Sequence, residues 1–149
     1  MKKTILAIIT FVTMAGSSFA NNDPKPVKQY IETLKREFAG ASDISLQGNA
    51  DFEIASFKLN GTVMFAYFTR EGELTAVIRN ILSDDLPLLL YSDIKSNYQQ
   101  YWISSLYEAV KDGESHYFIT LENGDNRIIL KSVSGTSWIV ESRTKKLLV

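Results

Sequence analysis

Apolar residues follow a helical spacing near the start of the chain, just after a short polar stretch. They recur three, four, seven and eleven positions after the first and form one stripe: Val27, Tyr30, Ile31, Leu34 and Phe38. A stripe with this period is typical of a helix that packs on one side. Gly40 follows it, and glycine commonly ends such helices. The pattern predicts a helix over residues 26–38.

Strand-like runs rich in aromatic and β-branched residues follow this helix. Asn60-Gly61 separates two of them and is a strong local signal for a hairpin, because a type I′ turn needs positive φ at both central residues. Glu71-Gly72 separates the next two. The pattern therefore predicts an antiparallel meander, with strands over residues 44–46, 52–59, 62–69 and 74–81.

A polar break at residues 83–87 precedes a second predicted helix. We expect Asp84 or Asp85 to cap it, and Pro87 suits its first turn. Its apolar side is predicted to carry Leu90, Ile94, Tyr98, Tyr101 and Trp102. Strands are then predicted over residues 103–110, 117–121, 127–133 and 137–142, with turns at Asn123-Gly124 and Ser134-Gly135.

The order helix, strands, helix, strands indicates an internal duplication. Asn60-Gly61 and Asn123-Gly124 lie 63 residues apart, and so do the turns at residues 71–72 and 134–135. We therefore expect an α+β domain of two tandem repeats, over about residues 24–82 and 84–144. Each repeat is a helix plus an antiparallel meander, and the helices are expected to pack on one face of the sheet.

The first twenty residues have the three-part pattern of a secretory signal peptide. Lys2 and Lys3 give a positive start, residues 5–15 are apolar, and small residues lead to Ser18-Phe19-Ala20. The apolar run is about half of the roughly 20 residues that a membrane span needs. We predict cleavage after Ala20, export to the periplasm or the exterior, and a single mature domain over residues 21–149 that is not stably inserted in the membrane.

Charge and residue types argue against several kinds of site. The chain has 16 basic and 17 acidic residues, and removal of Lys2 and Lys3 leaves 14 basic ones, a balance that disfavours nucleic acid. With no cysteine and one histidine, a tetrahedral zinc site lacks ligands. A Ser-His-Asp triad would have to use His116, at the start of a strand. The sequence predicts no catalytic residues, no metal, no cofactor and no enzymatic activity.

Three segments of the chain carry a family resemblance: residues 52–81, 86–110 and 116–140. The pattern that carries it is a helix ending in an aromatic residue, then a strand, a strand with Asn-Gly and a strand ending at Glu-Gly or Ser-Gly. In this pattern the chain resembles the PepSY-like group of small secreted Bacteroidetes proteins, whose fold is related to that of the β-lactamase-inhibitor protein. The resemblance implies the fold and supplies no catalytic residues. Some distant relatives bind and inhibit an enzyme, which implies a binding role, although this chain has none of that inhibitor's disulfides.

Three runs carry large apolar side chains at consecutive positions: residues 63–68, 117–119 and 138–140. Both faces of the sheet therefore carry such side chains, whereas a sheet covered by helices on one side is expected to be polar on the other. Three explanations are open. The other repeat or a loop covers the second face, two copies of the chain meet there, or it is a partner-binding surface.

We interpret the chain as an exported, non-enzymatic binding module that engages a protein or peptide of the cell envelope through an aromatic-rich sheet face. Aromatic residues are favoured interface anchors because they bury much area and keep a polar group. The candidate partner-binding residues are Phe65, Tyr67, Tyr117 and Trp138. The alternative is a carrier of a small apolar ligand, with a pocket between the helices and the sheet.

Overall fold

In the part of the chain that the structure describes, eight antiparallel strands form one sheet in which every strand pairs with its neighbours in the chain. The computed structural model describes residues 24–48 and 51–147, so the predicted signal peptide lies outside the described residues. No helix of these two segments is long and apolar enough to span a membrane. The elements are α1 (Pro24–Glu37), β1 (Ser42–Gly48), β2 (Glu53–Leu59), β3 (Thr62–Phe68), β4 (Leu74–Asn80), α2 (Leu88–Asn97), β5 (Trp102–Lys111), β6 (Glu114–Glu122), β7 (Asn126–Val133) and β8 (Ser137–Lys145). The predicted α+β class and antiparallel sheet are confirmed.

The second helix ends earlier than the apolar pattern predicts. α2 stops at Asn97, and the Tyr98 amide donates to the Ile94 carbonyl at 3.1 Å as the chain leaves the helix. Trp102 is already the first residue of β5. The prediction that Tyr98, Tyr101 and Trp102 lie on this helix is therefore wrong. Tyr98 and Tyr101 still pack against the buried cluster that includes Leu90 and Ile94 of α2, so their apolar side chains are buried from a turn and not from a helix.

The predicted helix cap at Asp84 or Asp85 is also wrong. A short 3-10 turn over Ser83–Asp85 precedes α2, and the Asp85 carboxylate accepts a hydrogen bond from the Leu82 amide at 2.9 Å. The Asp85 side chain thus caps the backbone amide at the start of this 3-10 turn and does not cap α2. Pro87 occupies the N-cap of α2 and offers no side-chain hydrogen bond.

Three turns between strands have positive φ at two successive residues. Asn60 and Gly61 have φ of 50° and 82°, as the sequence predicts for the β2–β3 turn. Ser134 and Gly135, where a turn is also predicted, have φ of 52° and 66° between β7 and β8. Asp112 and Gly113, with φ of 53° and 79°, form a turn between β5 and β6 that the sequence patterns do not predict.

The turn at Asn123-Gly124 forms by a different chemistry. Gly124 is not among the glycines with positive φ in the described residues. Instead the Asn123 side-chain oxygen accepts hydrogen bonds from the amides of Asp125 at 3.0 Å and Asn126 at 2.8 Å. An asparagine side chain that bonds the backbone ahead of it stabilises a turn without left-handed residues.

Two apolar cores hold the helices on the sheet. Tyr30 and Leu34 of α1 pack with the buried side chains of β2 and β3, which are Ala55, Phe57, Ala66 and Phe68. Leu90 and Ile94 of α2 pack with Leu106, Ile119, Leu121, Ile128 and Leu130 of β5–β7. Each large buried side chain contributes about 1.5–3 kcal/mol, so these cores fix where each helix lies.

The loop between β3 and β4 depends on a glycine. Gly72 has φ of +90°, and a Cβ there would lie 2.5 Å from Gln29 Nε2, which donates to the Glu71 carbonyl at 2.9 Å. Gly72→Ala is expected to lower the free energy of unfolding by about 1–2 kcal/mol, because it adds backbone strain and displaces Gln29. Chemical denaturation measures this loss.

Substitutions at two other glycines distinguish the effect of backbone strain from that of a steric clash with the added Cβ. Gly40 has φ of +91° with open space around it, so Gly40→Ala tests strain alone. Gly124 has open space and no positive φ, so Gly124→Ala is expected to change stability little. A loss at position 124 equal to that at position 72 would contradict the explanation.

Candidate interaction surface

A third cluster of buried side chains lies on the sheet, and no helical residue belongs to it. Its members alternate along their strands with residues of the helix cores, as Tyr67 does with Ala66 and Phe68. Successive side chains of a strand point to opposite faces. The cluster therefore lies on one face, which we call the tyrosine face: Ile54, Phe65, Tyr67, Ala76, Ile78, Tyr107, Ala109 and Phe118.

Strand register makes this cluster continuous across β2–β6. Tyr107 and Phe118 are opposite each other, and their rings stack with centroids 5.0 Å apart and an interplanar angle of 13°. The other rows of opposed residues are Ile54–Tyr67–Ala76 and Phe65–Ile78–Ala109. Together they form a floor of aromatic and aliphatic side chains.

Exposed apolar side chains border this floor. Val63 precedes Phe65 by two positions on β3, and its side chain is exposed. Ile139 of β8 is 50% exposed and stands opposite Lys131, whose Nζ lies 5.7 Å from the Phe118 ring centroid. Such side chains lose contact with water when a partner covers them, which favours binding.

Burial affects the titration of the two tyrosines of the floor and of the nearby Glu141. Burial raises the pKa of Tyr107, and the nearby Glu141 raises it further. Burial likewise raises the pKa of Tyr67. Burial also raises the pKa of Glu141, against the opposing effect of Lys131. Both tyrosines therefore keep their hydroxyl proton at neutral pH and can donate a hydrogen bond.

The four predicted partner-binding residues are divided between two faces. Phe65 and Tyr67 lie on the tyrosine face, but Tyr67 is only 6% exposed and forms part of the floor. Tyr117 and Trp138 pack instead against the α2 core, and Trp138 Nε1 donates to the Leu90 carbonyl at 3.0 Å. A partner that covers Phe65 and Tyr67 does not meet the other two on the same face.

Sequence reasoning missed three residues that the structure brings to this surface. Tyr107 and Phe118 form the stacked pair of the floor, and Ile139 forms part of its border. The sequence feature that could have identified them is the alternation of side chains along β5, β6 and β8. Such alternation assigns residues to a face of the sheet only when the pairing register is known.

A polar cluster joins the two halves of the sheet at the β4–β5 pair. Arg79 stands opposite Glu108, with its Nε 2.7 Å from Oε2, and the Ser115 and Tyr117 hydroxyls donate to Oε1 at 2.7 and 3.3 Å. Burial raises the pKa of Glu108, but the hydrogen bonds from Ser115 and Arg79 and the Arg79 charge outweigh it, so the pKa lies below its usual value. Glu108 is held as a carboxylate between fixed partners, which is a structural arrangement.

Open surface concavities adjoin the helix–sheet cores, since Ile81 and Leu106 of the α2 core line one and Leu74, which packs against the α1 core, lines the other. One of about 570 Å³ lies between residues 80–83 and 103–106, and another of about 380 Å³ lies between α1 and the β3–β4 loop. Within residues 24–48 and 51–147, no group of three or more His, Asp or Glu side chains is placed to hold a metal ion. His116 lies 4.0 Å from the carboxylate of Glu114.

Comparison with known proteins gives a match in fold only. No family model matches the chain, and no curated protein matches its sequence. A BLIP-like (β-lactamase-inhibitor-protein-like) protein from Bacteroides fragilis has a TM-score of 0.70 at 13% identity, over 83% of this chain and 89% of that chain.

Two further solved structures agree with it. A DUF2874 family protein from Bacteroides uniformis has a TM-score of 0.69 at 12% identity, covering 83% of this chain and 90% of its own. Another from Bacteroides ovatus has a TM-score of 0.68 at 14% identity, with 85% and 89% covered. At such low identity these likenesses establish the fold, and they confirm the β-lactamase-inhibitor-like fold expected from the sequence.

Proposed function

We propose that the chain is an exported, non-enzymatic binding module whose tyrosine face engages a protein or peptide of the cell envelope. The observation that carries this proposal is the exposed apolar border formed by Val63 and Ile139. It surrounds an apolar floor of Tyr67, Tyr107 and Phe118, which are themselves only 4–6% exposed. Interface centres are enriched in aromatic residues and depleted of charge.

The position of the helices supports the same proposal. Met64, Arg79, Glu108 and Tyr117 are successive partners across β3–β6, so their side chains share a face. Met64 packs with the α1 core and Tyr117 with the α2 core. We infer that both helices pack on this face and that neither covers the tyrosine face. The floor side chains there are buried mainly against each other, so a partner would contact chiefly the exposed border of that face.

The order of elements supports a duplicated domain. α1 followed by β1–β4 has the same order as α2 followed by β5–β8. Asn60-Gly61 and Asn123-Gly124 each lie between the second and third strands of their half, and Gly72 and Gly135 each lie between the third and fourth. A duplicated unit accounts for one continuous sheet with two helices. Export to the periplasm or the exterior is proposed on the signal pattern of residues 1–20.

The alternative, a carrier of a small apolar ligand, has less support. It needs space between helix and sheet, but the side chains there are fully buried against each other: Leu34, Phe57, Phe68 and Leu90 are 0–1% exposed. Both described concavities are open to solvent and are not enclosed between helix and sheet. Protein or peptide binding therefore fits the geometry better.

Two neighbouring residues of β8 provide a matched test. Ile139 stands opposite Lys131 towards the tyrosine face, and Val140 stands opposite Leu130 towards the α2 core, with exposures of 50% and 51%. Ile139→Lys is expected to weaken capture of an envelope protein by about tenfold or more, because binding would bury an unpaired charge. Val140→Lys is expected to leave capture unchanged.

The measurement is affinity capture from the native envelope fraction, with the retained protein identified by mass spectrometry and its affinity then measured with both variants. Denaturation of each variant shows that it is folded. Equal binding by the two variants would contradict a role for the tyrosine face, and so would weaker binding by Val140→Lys alone.

A further inference from the structure

One strand of the sheet is longer than the partner beside it. β4 pairs with β5 only from Val77–Val110 to Asn80–Tyr107, and the Ile81 amide then donates to the Leu106 carbonyl at 3.2 Å. β5 itself begins at Trp102, four residues before Leu106, and these first residues pair with β6 on the other side of β5. Within the described residues, no strand covers the β4 side of residues 102–105.

After Asn80 the chain diverges from β5, because the residues that follow β4 pack into the α2 core. Ile81 and Leu86 are buried with the α2 cluster, and the 3-10 turn lies between them. The two segments diverge and leave the groove of about 570 Å³ lined by residues 80–83 and 103–106. Leu82, on one wall, is 75% exposed, and Ile103, on the other, is also exposed.

We propose that this groove binds an extended peptide, which adds to β5 as an antiparallel strand in line with β4. An uncovered strand edge presents N–H and C=O groups that a peptide backbone satisfies by pairing. Leu82 and Ile103 would contact the alternate side chains of the peptide. This site is separate from the tyrosine face and does not rest on the function proposed for it.

The shape of the edge favours a short peptide over a second copy of the chain. β5 bulges between Ile103 and Ser105, and a bulge interrupts long edge-to-edge pairing of sheets. β4 and β5 diverge after Asn80, and this fork closes one end of the groove. Only a few residues of a peptide can therefore pair with β5.

Charge at the open end of the groove indicates which peptide fits. Lys146 lies 4.7 Å from the Trp102 ring centroid, and Lys146 and Arg127 together face the single carboxylate of Glu122. A peptide in line with β4 starts at the fork and ends beside Trp102, so it fits best with an acidic residue at its carboxyl end.

The test uses the exported protein and the synthetic peptide Lys-Thr-Val-Thr-Val-Glu, followed in a two-dimensional amide NMR spectrum. We expect the amides of Ile103, Ser104 and Ser105 to shift, with a Kd of about 100 μM. The same peptide with N-methyl groups at alternate residues cannot donate to the edge and is expected not to bind. Replacing the glutamate of the peptide by glutamine is expected to weaken binding about threefold, and Glu114→Lys, on the distant end of β6, is expected not to weaken it.

Three results would overturn the proposal. They are shifts that avoid residues 103–106, equal binding of the N-methylated peptide, and concentration-dependent shifts of these amides without peptide. The last result would mean that a second copy of the chain occupies the edge. None of them bears on the tyrosine face.

Discussion

Phe68→Ala is expected to lower the free energy of unfolding by about 4 kcal/mol. Phe68 is 0% exposed, and its ring lies 5.4 Å from the Tyr30 ring of α1, with the two rings tilted by 47°. Truncation of such a side chain removes its burial energy and leaves a cavity, which together cost about 3–5 kcal/mol. Denaturation by guanidinium chloride, followed by circular dichroism, measures the loss.

Phe65→Ala is the matched control for this prediction. Phe65 lies on the same strand but on the tyrosine face, where it is only partly buried. Its truncation is expected to cost about 1–2 kcal/mol, because the space it leaves is open to water. A cost at position 65 equal to or above that at position 68 would contradict the assignment of the two faces.

Glu108→Gln is expected to destabilise the chain near neutral pH and much less in acid. The pKa of the Glu108 carboxyl is lowered in the folded chain from its ordinary 4.5. A carboxyl with a lowered pKa contributes stability above its unfolded pKa, and this contribution is lost as the pH falls through the folded pKa. The difference between wild type and variant should therefore be full above about pH 5 and should shrink below about pH 4.5.

The expected loss at neutral pH is about 1–2 kcal/mol. Breaking a fully buried ion pair costs more, about 3–5 kcal/mol, but the Arg79 side chain is 45% exposed and water screens it. Urea denaturation of both proteins between about pH 3 and pH 7 measures the profile. Glu114→Gln, at a carboxylate that is 80% exposed, should show no such profile. A constant difference across this range would contradict the role assigned to the Glu108 carboxylate.

Local chemistry in the sequence was sufficient to predict much of the fold. The stripe of Tyr30 and Leu34 predicts the buried side of α1, and both residues are in its core. Asn60-Gly61 predicts the β2–β3 turn, since few other residue pairs adopt positive φ at both positions. These features depend on residues close together in the chain, so no knowledge of the tertiary structure is needed.

The surface could not be predicted in the same way. Tyr67 and Tyr117 both lie in strands with large side chains on consecutive positions, and a shift of one residue in register reverses which of them points to a helix. Register is set by pairing across the sheet, and the bulges at β3–β4, β5–β6 and β7–β8 change it locally. The hydrogen-bond partners of Glu108 likewise come from β4 and β6, and no sequence motif predicts that they lie together.

The end of α2 shows a second limit. Tyr98 and Tyr101 continue the apolar pattern of the helix, yet the chain turns at Tyr98. The rings of these two tyrosines pack edge to face, with their centroids 6.1 Å apart. Apolar spacing reports that residues are buried and not which element buries them. Tertiary packing decided between a longer helix and a turn.

Photo-crosslinking in intact cells shows whether the tyrosine face contacts a partner. Benzoylphenylalanine is placed at position 139, towards the tyrosine face, or at position 140, towards the α2 core, since both positions are half exposed. The account predicts a discrete adduct with an envelope protein or peptide from position 139 and none from position 140. Adducts from position 140 alone, or from neither position, would contradict it.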